Sequence, residues 1–125
     1  MNTRFVYFYR DASNYKKWSE VIFAGRASDG VMTRLAAALH DGEWFIAGQV
    51  RLPEVFLSEF PINDDDHCWH EFHSLSETED EADDAHARTI DHFVAEVERA
   101  QVEGWREFAR FPGSAEGSLQ GLSSL

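Results

Sequence analysis

The chain lacks most of the features that would attach it to a membrane or crosslink it. It has one cysteine, Cys68, so no disulfide can form within it, which fits a reducing compartment. No apolar run approaches the roughly 18 residues that cross a bilayer. Residues 1–4 lead directly into an aromatic segment rather than a signal-peptide core. We therefore expect a cytoplasmic protein that does not associate with membranes.

Basic residues are also few, and their distribution is uneven. The chain has 11 Lys and Arg against 23 Asp and Glu, which gives a net charge of −12. Residues 1–51 carry seven bases and five acids, whereas residues 52–125 carry four bases and eighteen acids. A negative field of this size repels phosphate backbones. We therefore expect no direct binding of nucleic acid.

Aromatic side chains, in contrast, are plentiful. The 125 residues include 10 Phe, 4 Trp and 3 Tyr, which is enough bulky apolar surface for one folded core. We predict a single α+β domain over residues 1–111, followed by a flexible C-terminal tail over 112–125 that is rich in Ser and Gly. The domain is expected to be an antiparallel sheet with one short helix and one long C-terminal amphipathic helix packed on it.

The first 25 residues predict an antiparallel β-hairpin. Residues 4–9 are apolar at both odd and even positions, which is typical of a central strand covered on both faces. Residues 11–14 have the side chains that favour turns, and residues 17–25 then form a second strand.

The middle of the chain gives weaker signals. Apolar residues recur at helical spacing over 31–39, which predicts a short helix of about three turns. Residues 42–50 indicate a strand or a structured loop, and residues 52–60 a short helical or irregular segment. We assign residues 68–75 to a third strand, although their aromatic spacing also suits a helical turn.

The C-terminal part predicts the long helix. The acidic run at 77–84 is interpreted as a helix start, because carboxylates interact favourably with the N-terminal end of a helix dipole. An amphipathic pattern then indicates a helix from about Asp83 to Arg110. Gly104 falls inside this range, where it would bend the helix or allow a close backbone contact.

Two motifs carry a resemblance to other proteins. Residues 8–16, FYRDASNYK, and residues 66–71, DHCWHE, together with residues 44–46 and 52–53, resemble a set of small uncharacterised proteins encoded in bacterial and phage genomes. The resemblance covers roughly the first 75 residues. It implies a phage or mobile-element origin, and it implies no particular activity.

The predicted hairpin brings rings and cations together. The candidate ligand-binding residues are Tyr9, Arg10, Tyr15, Lys16 and Trp18. Rings can stack on a base while arginine or lysine contacts phosphate, so the hairpin suits a small anionic or nucleotide-like ligand, or a partner protein. Alternatively, the rings are core and the bases protect a sheet edge from pairing. We favour a non-enzymatic binding protein, with a homo-oligomer as an open possibility.

The densest polar cluster lies at residues 64–73 and offers a first alternative. His67, His70 and His73 lie among carboxylates that could also bind a divalent metal ion, as in a metal-dependent enzyme. Their spacing matches no established ligand signature, and local hydrogen bonding is the competing interpretation. On a strand, His67 and His73 would share a face while His70 points away. We expect no cofactor unless this cluster binds a metal, and we assign no catalytic residue.

The acidic half of the chain offers a second alternative. Regular carboxylates along residues 77–103 could imitate a phosphate backbone and make the protein an inhibitor of a nucleic-acid-binding partner. The competing interpretation is an ordinary solvated helix face. The binding hypotheses assume that positive and negative side chains lie on separate regions of the surface.

Overall fold

A computed structural model describes residues 1–10, 14–55 and 69–106. Over these residues the protein has an α+β fold, a curled four-stranded antiparallel sheet with two α-helices. The strands are β1 (Asn2–Arg10), β2 (Lys16–Phe23), β3 (Trp44–Ile46) and β4 (Trp69–Thr78), and the helices are α1 (Val31–Ala38) and α2 (Ile90–Glu103). The predicted fold class is confirmed. Neither helix is long and apolar enough to span a membrane.

The sheet has the order β2-β1-β4-β3, so β1 is central, as predicted. β1 and β2 form the predicted hairpin, with partners running from Thr3 and Phe23 to Arg10 and Lys16. β4 pairs with the other side of β1, and its register shifts between Val6 and Tyr7. β3 adds a short edge strand to β4.

The two faces of β1 differ. Phe5 and Tyr7 are fully buried in the core, whereas Val6 and Arg10 on the opposite face are half-buried. Phe8, also on that face, is only 6% exposed. The strand was predicted to be covered on both faces. One face is fully buried, whereas the other face is buried only in part.

The core joins the sheet to the helices largely through phenylalanine rings. The ring of Phe93 on α2 stacks on that of Phe23, with centroids 4.4 Å apart, and lies 5.0 Å from that of Phe5. The buried stripe of α2 consists of Ile90, Phe93, Val94, Val97 and Ala100. Because burying one such large side chain contributes about 1.5–3 kcal/mol, this stripe is a main attachment of α2 to the sheet.

The predicted start of the long helix is wrong. β4 continues to Thr78, and α2 begins only at Ile90, after Thr89, whose hydroxyl accepts a 3.0 Å hydrogen bond from the backbone N–H of His92. Two carboxylates of the acidic run, those of Asp83 and Asp84, accept hydrogen bonds from backbone N–H groups outside any helix. Asp83 accepts from the N–H of Ile22 at 2.8 Å, an alternative that competes with helix formation.

The predicted end of that helix also changes. Gly104 is the residue that caps α2, with φ 98°, a backbone region open mainly to glycine. Its N–H donates to the carbonyl of Ala100 at 2.9 Å, and its own carbonyl accepts from Gln49 at 2.9 Å. Its predicted place inside the helix is therefore wrong. The remainder of the predicted helix, from residue 107, and the predicted tail at 112–125 lie outside the described residues.

The weaker signals of the middle segment are resolved in part. The short helix is confirmed as α1. Residues 42–50 contain both alternatives, because β3 is followed by a 3-10 turn at Ala47–Val50. The strand predicted at 68–75 is confirmed as β4, while residues 56–68 lie outside the described part of the chain.

Candidate functional site

The five predicted ligand-binding residues do not share one surface. Tyr9 is 1% exposed and its ring lies 5.5 Å from that of His70, on the opposite side of β1 from Arg10. Tyr15 and Trp18 are exposed by 69% and 51%. Tyr9 is therefore a core residue. Of the three rings among the five predicted residues, it is the one for which the competing interpretation, a core side chain, is correct.

Phe8 is the ring that organises the exposed part of the hairpin. The Arg10 guanidinium carbon lies 5.4 Å, and the Lys16 ammonium 5.5 Å, from the centre of the Phe8 ring. The Trp18 ring packs beside it at 4.6 Å. Cations over a ring face are attracted by its quadrupole. Phe8 and Arg10 are two residues apart, so strand alternation places their side chains on the same face of β1. This spacing is the sequence feature that associates Phe8 with Arg10.

One row of side chains crosses the whole sheet on this face. Trp18 of β2 is paired with Phe8 of β1, Phe8 with Glu71 of β4, and Glu71 with Trp44 of β3. Directly paired residues have Cβ atoms roughly 4.5–5.5 Å apart. The register therefore links the predicted hairpin to residues from the middle of the chain.

The polar centre of this face is an ion pair. Arg10 Nε donates to Glu71 Oε2 at 2.9 Å, and its NH2 nitrogen donates to Oε1 at 3.3 Å. Arg10 also donates to the side-chain oxygen of Asn14. The Glu71 side chain is 12% exposed. Two parallel bonds of this kind fix the planes of both groups as well as their separation.

Beside this pair lies a cavity of about 400 Å³, here called the tryptophan cavity. The described residues that line it are Arg10, His40, Trp44, Trp69 and Glu71. Its volume is within the range of about 300–1,000 Å³ that is usual for small-molecule sites. Three rings and one ion pair give it mostly apolar walls with few polar groups, the composition such sites prefer.

Local backbone geometry positions the rings. His40 follows α1 and exchanges backbone hydrogen bonds of 2.8 and 3.0 Å with Trp44, which closes the turn into β3. The His40 ring lies 4.8 Å from the Trp69 ring. Trp105, just after α2, donates from Nε1 to the Ala38 carbonyl at 3.3 Å, and its ring lies 6.4 Å from that of Trp69. The cavity thus has contributions from both the helical layer and the sheet.

β4 places His70 and His73 of the predicted metal cluster on opposite faces of the sheet. His70 is fully buried beside Tyr7 and Tyr9, and its Nε2 accepts a 3.1 Å hydrogen bond from the N–H of Val55. His73 is exposed, with its ring 4.9 Å from that of Trp18 on the other face. His67 lies outside the described residues. Within the ranges described, no three His, Cys, Asp or Glu side chains form a metal-binding group, and metal binding stays a prediction.

The charges are interleaved rather than segregated, so the assumption of separate positive and negative regions is wrong for the described residues. Every arginine of the first 51 residues pairs with a carboxylate of the acidic half: Arg4 with Asp80, Arg10 with Glu71, Arg26 with Glu77, Arg34 with Glu98 and Arg51 with Glu96. Hydrogen bonds from Arg34 lower the pKa of Glu98. This pairing occupies carboxylates that the mimic hypothesis needs, and that hypothesis stays a prediction.

Comparison with known proteins gives no relative: the chain matches no family model, no curated protein and no solved structure. The resemblance to small bacterial and phage proteins therefore stays a prediction. The function has to be argued from the tryptophan cavity and its surroundings.

Proposed function

We propose that the protein is a non-enzymatic binding protein for a small, planar, nucleotide-like ligand whose ring lies in the tryptophan cavity. The observation that supports this best is the meeting of Trp44, Trp69 and His40 with the Arg10–Glu71 pair around one space of about 400 Å³. The proposal moves the predicted site from the open hairpin to the cavity beside it. Arg10 belongs to both.

The chemistry of the walls favours a flat heterocycle. Stacking of a base on an aromatic side chain contributes about 1–3 kcal/mol, and the cavity offers two indole rings. A base also has hydrogen-bonding groups in the plane of its ring, for which the Arg10–Glu71 pair provides both donors and acceptors. A purely aliphatic ligand would leave these polar groups unmatched, which costs binding free energy.

The net charge limits the size of the ligand. At −12, the protein repels an extended phosphate backbone, whereas a single nucleoside carries no charge and a monophosphate carries only about −1.5 to −2. The interleaved ion pairs do not weaken this proposal, because an uncharged ring stacked on an indole needs no positive region outside the cavity. We therefore expect free nucleosides or mononucleotides to bind, and polymers to bind poorly.

Isothermal titration calorimetry of the purified full chain with the common nucleosides and their monophosphates tests the proposal. We expect at least one nucleoside to bind, and Trp44→Ala to weaken that binding by about 5- to 150-fold, the equivalent of one lost stacking contact. Trp44→Phe, which keeps a ring, should lose less. Calorimetry is preferred to fluorescence because the substitution itself removes a fluorophore.

The matched control for a change in the cavity is Arg26→Ala. Arg26 is an exposed arginine that pairs with Glu77 on the surface and does not line the cavity. Its removal should leave the affinity unchanged. The proposal fails if no nucleoside binds at concentrations up to about 5 mM, since a weaker affinity would be worth less than about 3 kcal/mol. It also fails if Trp44→Ala binds as well as the original chain.

A further inference from the structure

We infer that two copies of this chain associate through β2, so that the two β2 strands pair in antiparallel fashion across a two-fold axis. β2 lies at one edge of the sheet, and its outward backbone groups fall into two parts. The part from Ile22 onward is bonded to the chain that follows β4, whereas residues 16–20, here called the open edge, precede it. This association goes beyond the proposed ligand site and does not require it.

The covered part shows which groups of β2 point away from β1. The N–H of Ile22 donates to the Asp83 carboxylate at 2.8 Å, and its carbonyl accepts from the N–H of Asp83 at 2.9 Å. Because backbone groups alternate in direction along an antiparallel strand, those of Lys16, Trp18 and Glu20 also point away from β1. Within the described ranges, no backbone group outside the hairpin bonds to these three residues. Such a row of N–H and C=O groups is a template for another strand.

Both ends of the open edge are set by the chain itself. Pairing cannot continue past Glu20, because the next outward position, Ile22, is already bonded to Asp83. At the other end, β2 begins at Lys16, where the connection from β1 arrives. A second copy has the same limits, so the longest pairing of two open edges covers residues 16–20 of both.

This pairing is self-complementary in charge. An antiparallel pair over residues 16–20 is centred on Trp18, so Lys16 of each protomer lies opposite the partner's Glu20. These side chains share the face of the sheet that carries Phe8. Opposite charges at directly opposed positions stabilise a strand pair, and like charges there destabilise it. Lysine on an edge strand usually opposes pairing, but here the two-fold symmetry places a carboxylate against it.

Trp18 provides the apolar contact at the axis. It is 51% exposed, although its ring packs against those of Phe8 at 4.6 Å and His73 at 4.9 Å. The two Trp18 Cα atoms would be about 5.5 Å apart, the spacing of a hydrogen-bonded antiparallel pair. Aromatic residues paired across strands stabilise a sheet. Because the paired segment is short, we expect a reversible dimer with a Kd on the order of 100 µM.

Sedimentation equilibrium of the full chain from about 10 µM to 1 mM measures this association. About 0.15 M salt screens the repulsion between two chains that each carry −12. We expect the average mass to rise from that of one chain towards that of two. Lys16→Glu and Glu20→Lys each place like charges opposite each other at two symmetric positions, so each should weaken the dimer about tenfold.

An equimolar mixture of these two variants tests the register itself. In a mixed pair, both opposed positions again carry opposite charges, so the mixture should dimerise about as tightly as the original chain. Lys17→Glu is the matched control. It changes the net charge as much as Lys16→Glu does, but position 17 lies on the other face, opposite the partner's Ser19. It should weaken the dimer less than about threefold.

Hydrogen exchange of the original chain gives a second readout that needs no variant. The amides of Trp18 and Glu20 should exchange several-fold more slowly at 1 mM than at about 10 µM, because pairing protects them. The inference is overturned if the original chain keeps the mass of one chain at about 1 mM. It also fails if the mixture dimerises no better than its components, if Lys17→Glu weakens the dimer as much as Lys16→Glu, or if exchange of the two amides does not depend on concentration.

Discussion

Arg88 and Asp84 form a buried ion pair just before α2, with side chains 1% and 3% exposed and an NH2–Oδ1 distance of 2.9 Å. Arg88 also donates to the carbonyls of Val50 and Arg51 at 2.7 and 3.0 Å and to Glu96 at 3.1 Å. One side chain therefore ties the connection that follows β4 to the 3-10 turn and to α2. These hydrogen bonds of Arg88 hold the acidic segment in a defined conformation that is not helical.

Replacing Arg88 by methionine should destabilise the protein by about 3–5 kcal/mol, because it leaves the carboxylate of Asp84 buried without its cation. Urea denaturation followed by circular dichroism measures the change. The double variant Arg88→Met with Asp84→Leu should recover part of the loss, since no buried charge then remains at position 84. A loss below about 1 kcal/mol in the single variant would show that the pair is unimportant.

The same network predicts a loss of stability in acid. Burial by itself raises the pKa of Asp84, but the hydrogen bonds from Arg88 outweigh it and hold that pKa below its ordinary value. Hydrogen bonds from Arg51, followed by those from Arg88, lower the pKa of Glu96 despite its partial burial. Because both carboxylates have lower pKa values folded than unfolded, the unfolded chain takes up protons first as the pH falls.

These two groups should therefore contribute their full stabilisation above about pH 5 and lose it as the pH falls through roughly 4 and below. Urea unfolding at a series of pH values from 7 to 3 measures this dependence. In Asp84→Asn the free energy of unfolding should fall less steeply below about pH 4.5, because one titrating group is gone. An unchanged slope would exclude Asp84 as a source of the acid sensitivity.

The parts of the fold that could be predicted from the sequence are those set by local patterns. The hairpin follows from two strand-like segments joined by turn residues, and α1 from apolar residues at helical spacing. The start of α2 could not be predicted in this way. Residues 79–89 have a composition that suits a first helical turn, and the distant partners of Asp83 and Arg88 favour the irregular path.

The candidate site was predicted less completely, for a related reason. Arg10 was identified because it is near rings in the sequence, but Glu71 and Trp44 come to it only through the pairing of β4 with β1 and β3. These strands are far apart in the chain, and the number of residues between them does not determine which residues are paired. Strand alternation groups Phe8 with Arg10, but it does not say which face of β1 is the core, because aromatic residues occupy both faces.

Gly104 should not tolerate a side chain. Its φ of 98° is strained for any residue with a Cβ, although no atom lies within 4 Å of the position a Cβ would occupy. Gly104→Ala should therefore cost about 1–3 kcal/mol through backbone strain alone. Gly48→Ala is the control, because there the Cβ would meet only the flexible end of the Glu54 side chain, at 3.3 Å. Equal urea midpoints for the two variants would contradict this account.

The final prediction distinguishes the tryptophan cavity from the open hairpin. Lys16 and Trp18 lie on the far side of Phe8 from Glu71, so a base whose edge faces the Arg10–Glu71 pair need not reach them. Lys16→Ala and Trp18→Ala should keep nucleoside affinity within about twofold, whereas Arg10→Ala should weaken it about tenfold by removing charge-assisted hydrogen bonds. Calorimetry on the three variants measures this. Similar losses in all three would instead place the ligand across the hairpin, where the sequence alone predicted it.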